Sequence, residues 1–470
     1  MKKNKLPENL LETPSGEIIT LTDEQVEAVR EIKKWLKEDN VIFFTLGGVA
    51  GSGKTTVIKK VLDDFFGSVV VSAPTHKAKK KITQTTGKMA ETLQSICGLR
   101  PDVELDSFNP NNPIFNPISK PKFNIIDFLV IDEASMINKS YLELIKKQVV
   151  NKNAKILFMG DPAQIPPIGE EISAVFVDKD IRMFWLSTIM RQSFDNPITI
   201  VYDHLRKNLE NYDPIIRETS LNENNEGIVF MNKKKDFRRE IFFKFNSDEY
   251  KKNYDFVKII AWRNNTVKIA NQLIRNNLYG DNSDIINVGD VLMGYRSILA
   301  ERMRYNIIEN SGDYRIVKKS ELIKNNHGIW GYNVSIREDL INNEYSYRNL
   351  FFVNHDDLDN FFKYGDLHDY YKIKAKNNKK LWNAYYNFRR ENIILSDLLF
   401  YNAQQERVPD DIISKDLDYG YAITAHKSQG STYDYVFILE NDIDANTNIR
   451  ERNQIKYVSI TRPKKIAYLL

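Results

Sequence analysis

A single cysteine, Cys97, stands in 470 residues. No disulfide framework can therefore hold the chain together, and a reducing compartment is expected. Nowhere do about 18 consecutive apolar residues occur, which excludes a helix that spans a membrane. The basic start (Lys2, Lys3, Lys5) runs into Leu6-Pro-Glu-Asn and not into an apolar stretch, so no signal peptide is read. No internal repeat at a solenoid period is found. A strong charge is missing as well: the net value of +4 does not by itself announce a polyanion partner. Its distribution says more. Basic residues gather at His76, Lys77 and Lys79 to Lys81, at Lys233 to Lys235 with Arg238 and Arg239, and between Lys372 and Arg390. That suits a local track for a polyanion, although each cluster taken singly better suits a solvated helix face.

What is present is a glycine-rich turn, Gly48-Val-Ala-Gly51-Ser52-Gly53-Lys54-Thr55, behind the apolar run Val41-Ile-Phe-Phe-Thr-Leu46. The run reads as a buried strand, and a helix is expected to follow. Glycines let successive N–H groups turn inward onto phosphate oxygens. Lys54 adds a charge for the β/γ-phosphates and Thr55 a hydroxyl for Mg²⁺, with Thr56 beside it in the first helical turn. A second apolar run, Leu129-Val-Ile131, delivers Asp132 and Glu133 to a strand's carboxyl end, where open α/β sheets bind ligands. There Asp132 would hold Mg²⁺ and Glu133 would polarise an attacking water. Binding and splitting of a nucleoside triphosphate follow from these two pieces.

The length exceeds one ordinary domain, so two to four domains with real cores are expected. Val26, Val29, Ile32, Trp35 and Leu36 recur at helical spacing, and Thr22 or Asp23 is available as an N-cap. Strands at 69–71, 128–131 and 156–159 continue the βαβ rhythm of a parallel sheet. Five prolines break that rhythm between Leu99 and Pro121, which marks a small insertion. A second α/β unit starts after Arg191, with a strand at 256–261 and a helix at 266–278. Its closing strands lie far away, at 436–439 and 466–469, so another domain is inserted, over 291–416. The insert begins with β-like alternation at 307–317 and 329–336 and then turns helical and aromatic.

Taken with Ala425-His426-Lys-Ser-Gln429-Gly430, these motifs resemble those of the superfamily 1 helicases, in their RecD-like and Dda-like branch. The resemblance runs from Leu21 to the C-terminus. It implies an α/β fold of two RecA-like parallel-sheet domains, 1–95 with 122–190 and 191–290 with 417–470. A pin-like β-hairpin would occupy 96–121, and an SH3-like plus helical (tower) domain 291–416. In Leu21-Thr-Asp-Glu-Gln25, Gln25 would read adenine, because an amide donates and accepts at once. Pro74, Thr75 and His76 resemble a motif that grips the DNA backbone, and Thr92 and Ser95 the next one, with Gln94 where relatives often carry His. Gln164, in Gly160-Asp-Pro-Ala-Gln164, would touch the γ-phosphate or its water. Arg191 and Arg462, in Tyr457-Val-Ser-Ile-Thr-Arg462, would complete the site as forked cations. Thr424 and His426 would face the strand, with Gln429 and Gly430 toward the nucleotide. Asn264 is placed against nucleic acid by the same likeness.

The implied activity is ATP-dependent, Mg²⁺-requiring DNA unwinding driven by travel on single-stranded DNA, 5′→3′ in that branch, by a monomer in the cytoplasm of a bacterium or a phage-infected host. Forked duplexes are the implied substrates, and single-strand-binding, replication or recombination proteins the implied partners. Phe108 or Phe115 would form the pin's stacking tip, or else pack beneath the insertion. Trp382, with Tyr385, Tyr386, Phe388, Arg389 and Arg390, suits stacked bases, and suits an aromatic helical core as well. Two other functions use the same motifs: a translocase that walks on RNA or strips proteins from a strand, and a nucleotide-switched regulatory NTPase that does not unwind.

Overall fold

The computed structural model describes residues 6–14, 16–74, 76–88, 90–99, 120–150, 153–188, 196–212, 215–281, 283–300, 306–340, 344–401 and 407–470. Thr75, Arg191, Phe108, Phe115 and most of the proline-rich insertion lie outside these residues. The chain forms two compact units. One comprises Met1–Glu240, Asp255–Asn264 and Ile423–Leu470, and the other Ile241–Tyr254 and Asn265–Ala422.

The first unit holds two sheets. In the N-terminal one the strand order is Ala90–Glu91, Val69–Ser72, Phe128–Ile131, Lys155–Gly160, Phe43–Gly48 and Arg182–Leu186, and every pairing is parallel. The reason lies in the runs themselves. Along Phe128–Ile131 alternate side chains go to opposite faces, Phe128 and Val130 into a cluster with Trp35, Phe44 and Val57, Leu129 and Ile131 into one with Leu142, Ile145 and Phe158. A strand apolar at every position is thus buried on both faces, as a parallel sheet between helices requires. The helix Asp23–Trp35 is fixed at its start by a capping box between Thr22 and Gln25.

The second sheet runs in the order Ala422–Thr424, Val257–Ala261, Tyr433–Ile438, Pro463–Leu469, Gly227–Phe230 and Ser220–Leu221. Its pairings from Val257–Ala261 to Gly227–Phe230 are parallel, and the Ser220–Leu221 edge is antiparallel. The helix Ile449–Ile460 is buried almost all round, polar residues included. Those residues carry partners: Asn453 Nδ2 donates to the carbonyls of Leu209 and Asn211, and Lys456 pairs with Glu440 and Asp444. Partners of this kind offset the cost of burying such groups.

In the second unit the strands Ile323–Lys324, Trp330–Asp339, Asp313–Lys319, Val291–Gly294 and Leu417–Tyr419 form an antiparallel sheet, and Tyr345–Val353 adds to Trp330–Asp339. Two helices, Leu358–Asn377 and Trp382–Glu391, follow. The segment Ile241–Tyr254 belongs here because Arg315 donates to the Tyr250 carbonyl while Phe245 and Tyr250 pack against Tyr421. Among the described residues no helix is long and apolar enough to cross a membrane.

Candidate nucleotide site and nucleic-acid face

The strand Phe43–Gly48 ends where the glycine-rich turn begins, and the helix Lys54–Asp63 starts directly after it. Gly51 and Gly53 have φ of 84° and 82°, in the left-handed region that disfavours side chains. A Cβ on Gly53 would lie 2.3 Å from Gln25 Nε2, so the turn has no room for one. Lys54 Nζ donates to the carbonyls of Gly48 (2.8 Å) and Val49 (3.0 Å), so its ammonium lies along the turn. Ser52 is buried, and Thr55 and Thr56 are half-buried in the first helical turn. The backbone N–H groups of that turn begin a helix, which suits an anion.

Gln25, expected to read adenine, also braces the phosphate turn. Its Oε1 accepts the Thr22 N–H at 3.1 Å, and its Nε2 donates to the Ser52 carbonyl at 3.0 Å. Both ends of the amide are used within the protein, and the helix Asp23–Trp35 is thereby tied to the phosphate turn.

Asp132 follows its strand directly: its N–H donates to Ser72, and its Oδ1 accepts the Glu133 N–H at 2.9 Å. Glu133 adopts φ 52°, a conformation unusual outside glycine and one found where a site holds strain. Burial, and then the neighbouring Glu133 carboxylate, push the Asp132 carboxyl up to about 6, against the pull of Lys81 and Lys54. The Asp132 carboxylate and the Thr55 hydroxyl are hard oxygen donors of the kind that fits Mg²⁺.

Gln164 lies in the turn after Lys155–Gly160. Its N–H donates to the Asp161 carbonyl, and its side-chain Oε1 is buried with no hydrogen-bond partner. A buried acceptor without a donor is costly, and a water or a protonated group at that position would satisfy it. Three side chains of the second sheet's elements reach this turn. Gln429 Nε2 donates to the Ile165 carbonyl (3.1 Å), Gln454 Nε2 to the Gln164 carbonyl (3.3 Å), and Tyr457 Oη to Asp161 Oδ2 (2.6 Å). Asp161, Arg206, Gln454 and Tyr457 escaped the sequence reading as site residues. Only Tyr457 and Asp161 stood within motifs, so motif membership was the one signal available for them.

Arg462 is 2% exposed, and its guanidinium donates to the Val458 carbonyl, Thr461 Oγ1, and the carbonyls of Ser428 (3.5 Å) and Ser431 (3.3 Å). It therefore sits at the base of the turn that carries Gln429 and Gly430, the latter at φ 75°.

On the proposed strand-binding side, Pro74 and His76 stand at the junction of Val69–Ser72 with the helix His76–Thr86. Thr92 caps the short helix Leu93–Ile96 by accepting the Ser95 N–H, and Ser95 Oγ donates to Glu91. Thr424 likewise caps Ala425–Ser428, with His426 half-buried in its first turn. Asn264 is exposed at the start of its helix. In the other unit, Trp382 is half-buried, stacked on Tyr386 (5.7 Å between ring centroids) and edge-on to Tyr385 (5.5 Å). Its neighbour Arg389 is committed to a buried ion pair with Asp416.

Residues 20–214 match the family model described as an AAA domain, and residues 419–470 that of a UvrD-like helicase C-terminal domain. The ATP-dependent DNA helicase dda of Enterobacteria phage T4 is 27% identical over 283 residues, 58% of this chain and 60% of that protein. An uncharacterized protein of Acanthamoeba polyphaga mimivirus is 25% identical over a 513-residue alignment, which takes in 94% of this chain and 97% of that one. Among solved structures, the Pif1 helicase from Bacteroides in complex with ADP-AlF3 and ssDNA superposes with a TM-score of 0.53 at 16% identity, covering 96% of this chain and 92% of that one. At that identity the likeness speaks for the fold.

Proposed function

We propose that this chain, which belongs to the RecD-, Dda- and Pif1-like superfamily 1 helicases, hydrolyses ATP to travel 5′→3′ on single-stranded DNA and to separate forked duplexes. The observation that carries the reading is the convergence on one turn. Gln164, with its unsatisfied buried acceptor, sits in the N-terminal sheet's turn, and that turn is held by three side chains from elements of the second sheet.

The phosphate turn supplies N–H groups and Lys54, and Thr55 and Asp132 would hold Mg²⁺, which supplies charge neutralisation on the phosphates. Glu133 orients the attacking water and takes its proton, and Gln164 Oε1 accepts a hydrogen bond from that water. Arg462 adds charge stabilisation once its guanidinium exchanges the long contacts to Ser428 and Ser431 for a phosphoryl oxygen; Arg191 would do the same from the adjoining segment. The second sheet's elements thereby gain a reason to close on hydrolysable nucleotide and to release afterwards. Pro74, Thr75, His76, Thr92, Ser95, Asn264, Thr424 and His426 would alternate their hold on the strand. Contacts to its backbone make the travel indifferent to sequence. A monomer suffices for this scheme.

Strand separation on forked DNA bearing only a 5′ tail or only a 3′ tail tests activity and polarity together. Unwinding of the 5′-tailed fork with ATP is expected, and unwinding of the 3′-tailed fork alone would reverse the direction. ATP turnover stimulated by RNA and not by DNA of the same sequence would replace the DNA reading with the RNA one.

A further inference from the structure

Tyr457 lies on the helix Ile449–Ile460 of the first unit. Its ring is fully buried and meets Tyr202 edge-on at 6.3 Å. Its hydroxyl makes two bonds: it donates to Asp161 Oδ2 at 2.6 Å and accepts the N–H of Ala50 at 3.3 Å. Ala50 directly precedes Gly51 in the phosphate turn. Asp161 heads the turn that carries Gln164, and its Oδ1 accepts the Ala163 N–H at 3.0 Å. Arg206 Nη2 lies 3.4 Å from the same Oδ1, and the Arg206 guanidinium stands 4.8 Å from the Trp185 ring centroid. One hydroxyl from an element of the second sheet thus touches both the phosphate turn and the sensor turn of the first.

We propose that Tyr457 is a positioning residue for hydrolysis: through Ala50 and Asp161 its hydroxyl fixes the distance between the phosphate turn and Gln164. Catalysis thereby depends on the seating of the helix Ile449–Ile460, with Arg206 steadying Asp161 from the other side. Two features favour this over simple packing. The hydroxyl is both donor and acceptor, so a hydrophobic ring of the same shape would fill the space without joining the two turns. Burial and the Asp161 carboxylate also push the phenol well above its ordinary range, which keeps it protonated as the donor. The inference rests on the hydrolysis reading above.

The test is Tyr457→Phe, which removes the hydroxyl and keeps the ring against Tyr202. At saturating single-stranded DNA, kcat for ATP is expected to fall about 10-fold or more while KM and the Kd for a fluorescent ADP stay within about 3-fold, the split expected when an interaction serves the transition state. Arg206→Ala added to Tyr457→Phe should cost less than the product of the single losses, since both act on Asp161. Unchanged kcat, a rise in KM alone, or strict additivity would overturn the proposal. Should the wild-type chain hydrolyse no ATP, the functional reading fails by itself. The linkage then remains readable in the thermal unfolding of Tyr457→Phe, Asp161→Asn and the double variant. Non-additive losses support it, and additive ones overturn it.

Discussion

Replacing Asp132 by Asn removes one of two adjacent carboxylates at the end of a buried strand and is expected to stabilise the ligand-free protein while abolishing turnover. The Asp132 carboxyl is pushed up to about 6, chiefly by burial and next by Glu133. In an unfolded chain an aspartate titrates near ~3.9. Between those values the folded protein binds more protons than the unfolded one, so wild-type stability rises as pH falls through that window. Above pH ~6 the ionised carboxylate imposes its full penalty, and below ~4 the penalty is gone. The gap corresponds to at most ~3 kcal/mol, and for a buried carboxyl about 1–2 kcal/mol is assigned to this side chain. Asparagine keeps an oxygen for the Glu133 N–H and nearly the same volume, so charge is the main thing removed. Thermal unfolding without nucleotide should then show Asp132→Asn melting about 1–3 °C above wild type at pH 8, a difference that vanishes toward pH 4. Adding Mg²⁺ with ADP should raise the wild-type midpoint more than the variant's. A variant that melts at or below wild type at pH 8 refutes the idea that this site is held under electrostatic strain.

Glu133→Gln keeps size and hydrogen-bonding capacity but cannot take a proton, so ADP binding should match wild type while ATP turnover falls by roughly 10²–10⁴; steady-state hydrolysis beside a binding titration checks it. Arg389→Met leaves Asp416 buried without its cation. A loss of about 3–5 kcal/mol in urea unfolding of the second unit is expected, and a loss below ~1 kcal/mol would show that the pair does not hold the helix Trp382–Glu391 in place.

Parts of this architecture are written locally, and those parts were legible. The apolar run into Asp132 is a strand because every residue must be buried, and the glycines of residues 48–53 mark a turn because the left-handed φ values at 51 and 53 admit little else. The Thr22–Gln25 capping box is also a short-range signal. The second duty of Gln25, on Ser52, crosses 27 positions and has no local sign. Tyr457 is a stronger case, since its partner Asp161 lies 296 residues away. The helix that carries it shows no amphipathic stripe, because its polar residues are buried with partners instead of facing water. Nor does the segment Ile241–Tyr254 declare its unit, for the residues that claim Tyr250 and Phe245, such as Arg315 and Tyr421, are distant in the chain. The aromatic cluster near Trp382 was ambiguous for a physical reason: stacking on bases and packing in a helix pair call for the same side chains. The structure spends Tyr385, Phe388 and Arg389 on the core and leaves Trp382 half-buried.

Side chains from the second sheet's elements meet the first sheet's at two places, Lys77 with Tyr433 and Asp255, and the turn that carries Gln164. Gln429 reaches Ile165, Gln454 reaches Gln164, and Tyr457 reaches Asp161, so contacts from two separate elements fall within five consecutive residues. At the phosphate turn the Ala50 N–H donates to the Tyr457 hydroxyl at 3.3 Å, the longer and weaker of that hydroxyl's two bonds. Residues 161–165 receive three such bonds, and the glycine-rich turn is braced from its own side by Gln25. Such a division suits a motor. The nucleotide's phosphates need a fixed cradle throughout the cycle, whereas the residue that positions the water must be correct only when the two sheets are closed. On the mechanism proposed above, the contacts that the second sheet's elements make on the Gln164 turn, and the bracing of the glycine-rich turn by Gln25, would let hydrolysis, not binding, wait for closure.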